Sequence, residues 1–146
     1  MSKDEVTREN LRSAEGYRLL LMEDDESIVE LVREGLSIAD IRVTAVSNGF
    51  EAMEAFESHP FDMIVTDIMV KGFNGFQLID YVLKKGVSVP IVVITGAYPN
   101  GFHQYAATLG IEDYFEKPFQ LERFATRIIE ILSQRDARPA KQAETA

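Results

Sequence analysis

Acidic side chains directly follow the first apolar run of the sequence. Residues 19–22 read Leu-Leu-Leu-Met, and the next four residues are Glu23, Asp24, Asp25 and Glu26. A run this apolar is typical of a strand buried in a parallel sheet, and such sheets place ligands at the carboxyl ends of their strands. Ionised carboxylates a few ångströms apart repel by roughly 4 kcal/mol per pair at an effective dielectric near 20. The cluster therefore predicts a cation site.

Three later segments each deliver one more reactive residue. Asp67 follows the apolar run 63–66, Thr95 follows the run 91–94, and Lys117 stands before the last helical segment. Carboxylate oxygens suit Mg²⁺, which is usually held by one or two carboxylates together with phosphate. Asp67 would then attack a phosphorus atom as a nucleophile, while the Thr95 hydroxyl and the Lys117 ammonium donate to the transferred group's oxygens. These residue types predict phosphoryl transfer to an aspartate.

Short β-rich runs alternate with segments of helical period from Arg18 onward, and this alternation predicts an α/β fold with a parallel sheet covered by helices. We place strands at about 18–23, 41–46, 62–67, 90–94 and 113–116. Five strands joined by right-handed crossovers form a doubly wound sheet, for which the order 2-1-3-4-5 is one common solution. In that order Glu23, Asp24 and Asp67 would meet in one crevice.

Apolar spacing predicts the buried faces of five helices. The first carries Ile28, Leu31, Val32 and Leu36, and the second carries Phe50, Met53 and Phe56 before Pro60 ends it. The third runs from about Gly75 to near Gly86, the fourth is a weakly patterned segment at about 100–109, and the fifth begins near Leu121. Asp25 suits the start of the first helix as well as a metal shell, and both roles stay open.

Length and composition limit the remaining choices. The 146 residues, 46% of them hydrophobic and 27% charged, suit one soluble domain. We assign residues 1–16 to an N-terminal extension, 17–134 to the domain and 135–146 to a disordered C-terminal tail. The absence of cysteine excludes disulfides and thiolate metal sites.

Charge and hydropathy also argue against two classes of partner. A formal charge of -9 disfavours direct binding to nucleic acid, because it repels a phosphate backbone. No apolar run approaches the roughly 18 residues that cross a bilayer, and the first sixteen residues lack the apolar centre of a secretory signal. We therefore expect a cytoplasmic protein without a membrane partner.

Four strings in register resemble the receiver domain of two-component response regulators: LLLMEDDESI, FDMIVTDIMVKGFNG, PIVVITGA and DYFEKPF. The resemblance covers about residues 17–134 and implies a flavodoxin-like fold. It also implies a set of site residues. Asp67 would be the phosphoacceptor, Asp24 a direct Mg²⁺ ligand, Glu23 a ligand through water and Met69 a ligand through its backbone carbonyl. Thr95 and Lys117 would bind the phosphoryl oxygens, Tyr114 would be the switch aromatic, and the Lys117-Pro118 peptide bond would be cis.

The resemblance further implies a signalling role. We expect a stand-alone, chemotaxis-regulator-like receiver that accepts a phosphoryl group from a histidine kinase or phosphotransferase. It would catalyse its own phosphorylation and dephosphorylation but act mainly as a switch, read by a protein partner at the face of helix 4, strand 5 and helix 5. One position departs from the family pattern: Lys71 replaces the usual proline four residues after the acceptor, which removes a fixed φ and adds a charge.

Other interpretations of the same residues remain open. Tyr114 also suits simple packing, and His103 is an alternative acceptor, although single helix histidines are mostly surface residues. A phosphatase acting on small molecules would usually carry a second acid where this chain has Met69. A flavin or dinucleotide site would need a glycine-rich first loop, and this one is acidic. The main alternative function is a phosphorylation-independent interaction module on the same fold.

Overall fold

The structure, a computed structural model, describes residues 16–70, 73–98 and 100–136. Most of the expected N-terminal extension, Lys71 and residues 137–146 of the expected tail lie outside the described residues.

Five parallel strands form the central sheet in the order β2-β1-β3-β4-β5, as the sequence predicts. The strands are β1 Tyr17–Met22, β2 Ile41–Val46, β3 Met63–Asp67, β4 Ile91–Thr95 and β5 Asp113–Glu116. The inner strands β1, β3 and β4 are buried almost throughout, which explains why they appear in the sequence as continuous apolar runs.

The five helices found in the described ranges cover both faces of this sheet. They are α1 Glu26–Leu36, α2 Gly49–Ser58, α3 Gly75–Lys84, α4 Phe102–Leu109 and α5 Leu121–Asp136, and a 3-10 turn Ser37–Ala39 follows α1. Alternate residues of β1 point to opposite faces: Leu19 and Leu21 pack with α1 and α5, while Leu20 and Met22 pack with α2, α3 and α4. The flavodoxin-like architecture is therefore confirmed.

Two apolar residues lie outside the faces that spacing predicts for them. Leu31 is 43% exposed and Phe50 is 80% exposed. In α2 the residues that turn inward are 49, 52, 53 and 56, so Phe50 is one residue out of phase with the i, i+3, i+4, i+7 pattern. Val32 and Leu36 form the buried part of α1, and Leu31 lies one step, about 100°, to the side.

The last helix is longer than the sequence suggests. α5 runs through Asp136, so residues 135 and 136 belong to the helix rather than to the tail that we expected from 135 onward. Arg135 explains the difference, because its Nη1 donates to the Asp62 carbonyl at 2.9 Å and its Nη2 donates to the Ser88 carbonyl at 3.1 Å. These bonds attach the end of α5 to the amino edge of the sheet.

Across the ranges that the structure describes, none of the helices has the length and apolar character that a membrane span requires.

Candidate functional site at the carboxyl edge of the sheet

The strand register brings two buried carboxylates together. Met22 of β1 lies opposite Thr66 of β3, so the next residues, Glu23 and Asp67, emerge side by side. Glu23 is 2% exposed and Asp67 is 3% exposed, while the neighbouring Asp24 is open to solvent. One carboxylate oxygen from each of the three residues lies within 4.8 Å of the others. The crevice that the strand order predicts is therefore present.

Asp67 is held through both of its carboxylate oxygens. The Met69 backbone N–H donates to Oδ1 at 2.9 Å, and the Lys117 ammonium donates to Oδ2 at 2.7 Å. Burial by itself lowers the pKa of Lys117, but its hydrogen bond to Asp67 and its contact with the Glu23 carboxylate outweigh that effect, and the pKa is raised overall. Lys117 therefore stays charged beside the two acids.

Glu23 is held by one hydrogen bond and one ion pair. Its Oε2 accepts the Asp25 backbone N–H at 2.9 Å. Its Oε1 lies 2.6 Å from the Lys117 ammonium, but this contact is an ion pair without the angle of a hydrogen bond. Burial raises the pKa of Glu23, and Lys117 opposes that rise only in part. Glu23, Asp24 and Asp67 carry three negative charges and Lys117 supplies one positive charge, so a divalent cation would balance these four side chains.

The acidic run divides its residues between two tasks. The Asp25 side chain caps α1 by accepting the Ser27 backbone N–H at 2.9 Å, and hydrogen bonds from Ser27 lower the pKa of Asp25. Glu26 lies in the first turn of α1, where the helix dipole favours a negative charge. Of the two roles left open for Asp25, helix cap and metal ligand, the structure shows the helix cap. Glu23 and Asp24 face the site.

These donors fit Mg²⁺. They are hard oxygen atoms from three carboxylates, one of which is exposed, so the site opens to the solvent that supplies the water ligands of Mg²⁺. The excess of carboxylate charge over the single Lys117 ammonium supports the same conclusion. Met69 follows the acceptor at the expected distance in sequence, and the role of its carbonyl as a ligand stays a prediction.

The loop after Asp67 is short and tightly bonded. Met69–Val70 pairs in antiparallel fashion with Phe73–Asn74, so this loop returns on itself before α3. Asn74 then caps α3 in a reciprocal arrangement with Gln77. Lys71, the position that departs from the receiver pattern, lies between these two pairs and outside the described residues.

Thr95 and Lys117 reach the same edge from β4 and β5. Thr95 lies opposite Glu116, the residue before Lys117, and the Lys117 backbone N–H donates to the Thr95 carbonyl at 2.8 Å. The Thr95 side chain is buried, and its Oγ1 donates to the Ala97 carbonyl at 3.1 Å. The Lys117-Pro118 peptide bond is cis, as the resemblance implies.

Tyr114 belongs to a group of rings that the sequence only partly reveals. It is 37% exposed, and its ring centroid lies 5.4 Å from Tyr98, 5.2 Å from Phe102 and 4.9 Å from His103. Tyr98 stacks on Phe102 with centroids 4.6 Å apart. We call Tyr98, Phe102, His103 and Tyr114 the aromatic face.

Sequence reasoning missed Tyr98. It lies three residues after Thr95 in the loop before α4, and burial, reinforced by the negative charge of Glu116, raises its pKa to about 12. The only signal in the sequence was its closeness to Thr95, which does not indicate ring contacts with β5. His103, the alternative acceptor, is exposed on α4 and packs on Tyr114 at the aromatic face.

Known proteins provide an independent comparison. Residues 19–129 match the response regulator receiver domain family. Among curated proteins, the chain is 28% identical over 133 residues to the probable transcriptional regulator ycf27 of Cyanidium caldarium, covering 91% of this chain and 53% of that protein. It is also 28% identical over 116 residues to the response regulator SaeR of Staphylococcus aureus, covering 80% of this chain and 50% of that protein. The chain thus spans about half the length of the curated relatives it matches.

Solved structures show the same relationship. The non-phosphorylated receiver domain of HemR from Leptospira biflexa superposes with a TM-score of 0.76 at 30% identity, covering 84% of this chain and 98% of that one. A CheY-like receiver domain protein from Methanospirillum hungatei has a TM-score of 0.76 at 20% identity, over 82% of this chain and 96% of that one, and it shows the fold alone. Because the family match covers residues 19–129, which include every site residue discussed above, the chain belongs to the response regulator receiver domain family.

Proposed function

We propose that this receiver domain accepts a phosphoryl group on Asp67 from a histidine kinase or phosphotransferase and signals to a protein partner by a change of shape. One observation carries the proposal: Asp67 is a buried carboxylate whose two oxygens are oriented separately, by the Met69 N–H and by the Lys117 ammonium. Two further carboxylates, Glu23 and Asp24, lie within reach of a shared cation.

The chain's own groups account for most of the chemistry. An Asp67 oxygen forms the new O–P bond while the donor's P–N or P–O bond breaks, and the leaving group keeps that electron pair. Lys117 moves from Asp67 Oδ2 to a phosphoryl oxygen, and the Met69 N–H remains close to the acceptor. Mg²⁺ held by Glu23, Asp24 and Asp67 would neutralise charge on the transferred group.

The proposed change of shape begins at the Thr95 hydroxyl. Its hydroxyl is bonded to the Ala97 carbonyl, within the loop that leads to α4. A phosphoryl group on Asp67 adds nearly two negative charges, and the Thr95 hydroxyl would turn towards them. That movement releases the loop, gives Tyr114 space to move inward and changes the face formed by α4, β5 and α5. A protein partner reads this face.

Incubation with acetyl phosphate and Mg²⁺ tests the proposal. We expect an acid-stable, alkali-labile adduct at Asp67, found by mass spectrometry, which Asp67→Ala abolishes. Asp80→Ala is the matched control, because Asp80 is an exposed aspartate of α3 paired with Lys84. A wild-type protein that takes no label, or a label that persists in Asp67→Ala, would contradict the proposal.

The role in the cell is also part of the proposal. We infer a cytoplasmic, stand-alone receiver that passes its state to a separate partner. The curated relatives are about twice as long, so pull-downs with phosphorylated protein and with Asp67→Ala are the experiment that identifies what reads the signal. The phosphorylation-independent interaction module is the second candidate, and equal capture of the same partner by both forms would favour it.

A further inference from the structure

A hydroxyl group is buried inside the sheet immediately before the proposed acceptor. Thr66 has no exposed surface and lies in β3 between Met22 of β1 and Val93 of β4. Its strand neighbours Ile64 and Val65 are apolar, and valine has nearly the same shape as threonine. A buried hydroxyl without a partner costs roughly 1–3 kcal/mol, so the hydrogen bond that Thr66 makes needs an explanation.

That contact is with the backbone of the acceptor. Thr66 Oγ1 donates to the Asp67 carbonyl oxygen at 2.9 Å. The bond holds the peptide group between Asp67 and Ile68, which is the first link of the loop that carries the Met69 N–H to Asp67 Oδ1. Rotation of this peptide group would therefore displace the donor from the carboxylate.

A second residue approaches the same carbonyl from the start of α3. A Cβ atom at Gly75 would lie 2.3 Å from the Asp67 carbonyl oxygen and 2.7 Å from Ile68 Cα, so only glycine fits there without a shift of the backbone. The Gly75 N–H also donates to the Ile68 carbonyl at 3.0 Å. The peptide group after Asp67 is thus held between the Thr66 hydroxyl and the first residue of α3.

We propose that Thr66 is a positioning residue for phosphorylation, assisted by Gly75: together they fix the Asp67–Ile68 peptide group and so keep the acceptor carboxylate aligned with the Met69 N–H and Lys117. This inference rests on the proposed function. Neither residue touches the reacting atoms. A reacting group displaced by about 1 Å can lose roughly 10²-fold in rate, so a small rotation of this peptide has a measurable effect.

Substitution of Thr66 separates positioning from stability. Thr66→Val removes the hydroxyl but keeps a side chain that suits a buried strand, and Thr66→Ser keeps the hydroxyl. We expect Thr66→Val to slow phosphorylation by acetyl phosphate at saturating Mg²⁺ about five- to tenfold, with a melting temperature equal to or above that of the wild type. Thr66→Ser should retain a rate within about twofold of the wild type.

Thr44→Val is the matched control. Thr44 lies in the edge strand β2, opposite Leu20, so the same substitution is made in the same sheet but away from Asp67. Its phosphorylation rate should equal that of the wild type. An unchanged rate in Thr66→Val, or a Thr66→Ser protein as slow as Thr66→Val, would overturn the inference.

An NMR measurement reports the geometry directly. The Met69 amide proton should show the downfield shift and slow exchange of a proton bonded to a carboxylate in the wild type and in Thr66→Ser, and it should lose both in Thr66→Val. If the wild type takes no label at all, the proposed function and the positioning role fail together. If the wild type is labelled and the variants match it, the positioning role alone fails.

Discussion

The carboxyl edge of the sheet and the aromatic face lie close together but are stabilised in different ways. At the edge, Glu23, Asp67 and Thr95 are buried, and the Asp67 and Thr95 side chains are held by hydrogen bonds that fix their directions. At the aromatic face, Tyr114 is partly exposed and is surrounded by three rings. Breaking a buried ion pair costs about 3–5 kcal/mol, whereas a pair of aromatic rings contributes about 0.5–1.5 kcal/mol.

This difference matches the two tasks of the proposed switch. Phosphoryl transfer needs one geometry, so an edge held by charges and directional bonds is preorganised for it. A signalling face needs two conformations of similar free energy, and ring contacts can be exchanged at low cost. Substitutions at the edge should therefore change phosphorylation chemistry, and substitutions at the aromatic face should change the output and the local stability of α4 but not the chemistry.

Loss of the Lys117 ammonium should have the largest effect. In Lys117→Met, Glu23 and Asp67 are left as buried, uncompensated charges, and without Mg²⁺ the free energy of unfolding should fall by about 3–5 kcal/mol. The rate of phosphorylation should fall about 10²-fold or more, because a donor to the transferred group is lost. Denaturation in EDTA and labelling by acetyl phosphate measure the two effects.

A surface lysine gives the control for that substitution. Lys84 forms an exposed ion pair with Asp80 on α3, so Lys84→Met should change stability by less than about 0.5 kcal/mol and leave labelling unchanged. Equal losses in both variants would mean that the edge is no more preorganised than the surface.

Glu23 should link metal binding to pH. Because burial raises its pKa, protons compete with Mg²⁺ at a higher pH than for an ordinary carboxyl, and Mg²⁺ affinity should fall as pH drops through that raised pKa. Glu23→Gln should weaken Mg²⁺ binding about tenfold and flatten its dependence on pH above the ordinary carboxyl value of 4.5. Calorimetric titration at several pH values checks this. An unchanged slope in the variant would exclude Glu23 as the titrating group.

Substitution of Tyr98 tests the aromatic face. Tyr98→Ala removes ring contacts with Phe102 and Tyr114 and should lower the opening free energy of α4 by about 1 kcal/mol, seen as faster amide exchange there. Labelling of Asp67 should stay within about twofold of the wild type. Phe50→Ala, at an exposed position on α2, should leave exchange in α4 unchanged.

The smallest effect concerns alkaline pH. The pKa of Tyr98 rises from its ordinary value of 10.0 to about 12 in the folded protein, so the unfolded chain loses this proton first. The neutral Tyr98 hydroxyl contributes fully to stability below its ordinary pKa of 10.0. This contribution is lost as the pH rises through the folded-state pKa of about 12. As the pH rises between about 10 and 12, the melting temperature of Tyr98→Phe should therefore fall less than that of the wild type. If the melting temperatures of the two proteins fall equally with pH, the pKa of Tyr98 is not raised by folding.

The sequence predicted the sheet and the grouping of site residues because strand order and register alone determine both. Once β1 and β3 are neighbours, Glu23 and Asp67 must lie side by side. The bonds of Thr66 and the ring contacts of Tyr98 depend on peptide orientation and loop path, which residue spacing does not encode. The exposure of Phe50 had a similar cause, because three apolar residues in α2 admit more than one rotation of the helix. The roles assigned to individual site residues stay predictions until they are tested.

The Arg135 contacts have a practical consequence for protein engineering. A shortened version cut after residue 134, where the sequence suggests that the domain ends, would delete the guanidinium group that joins α5 to Asp62 and Ser88. The last turn of α5 would then fray. A reporter protein fused there would respond to this fraying rather than to phosphorylation. Truncations and fusions should therefore keep the chain through residue 136.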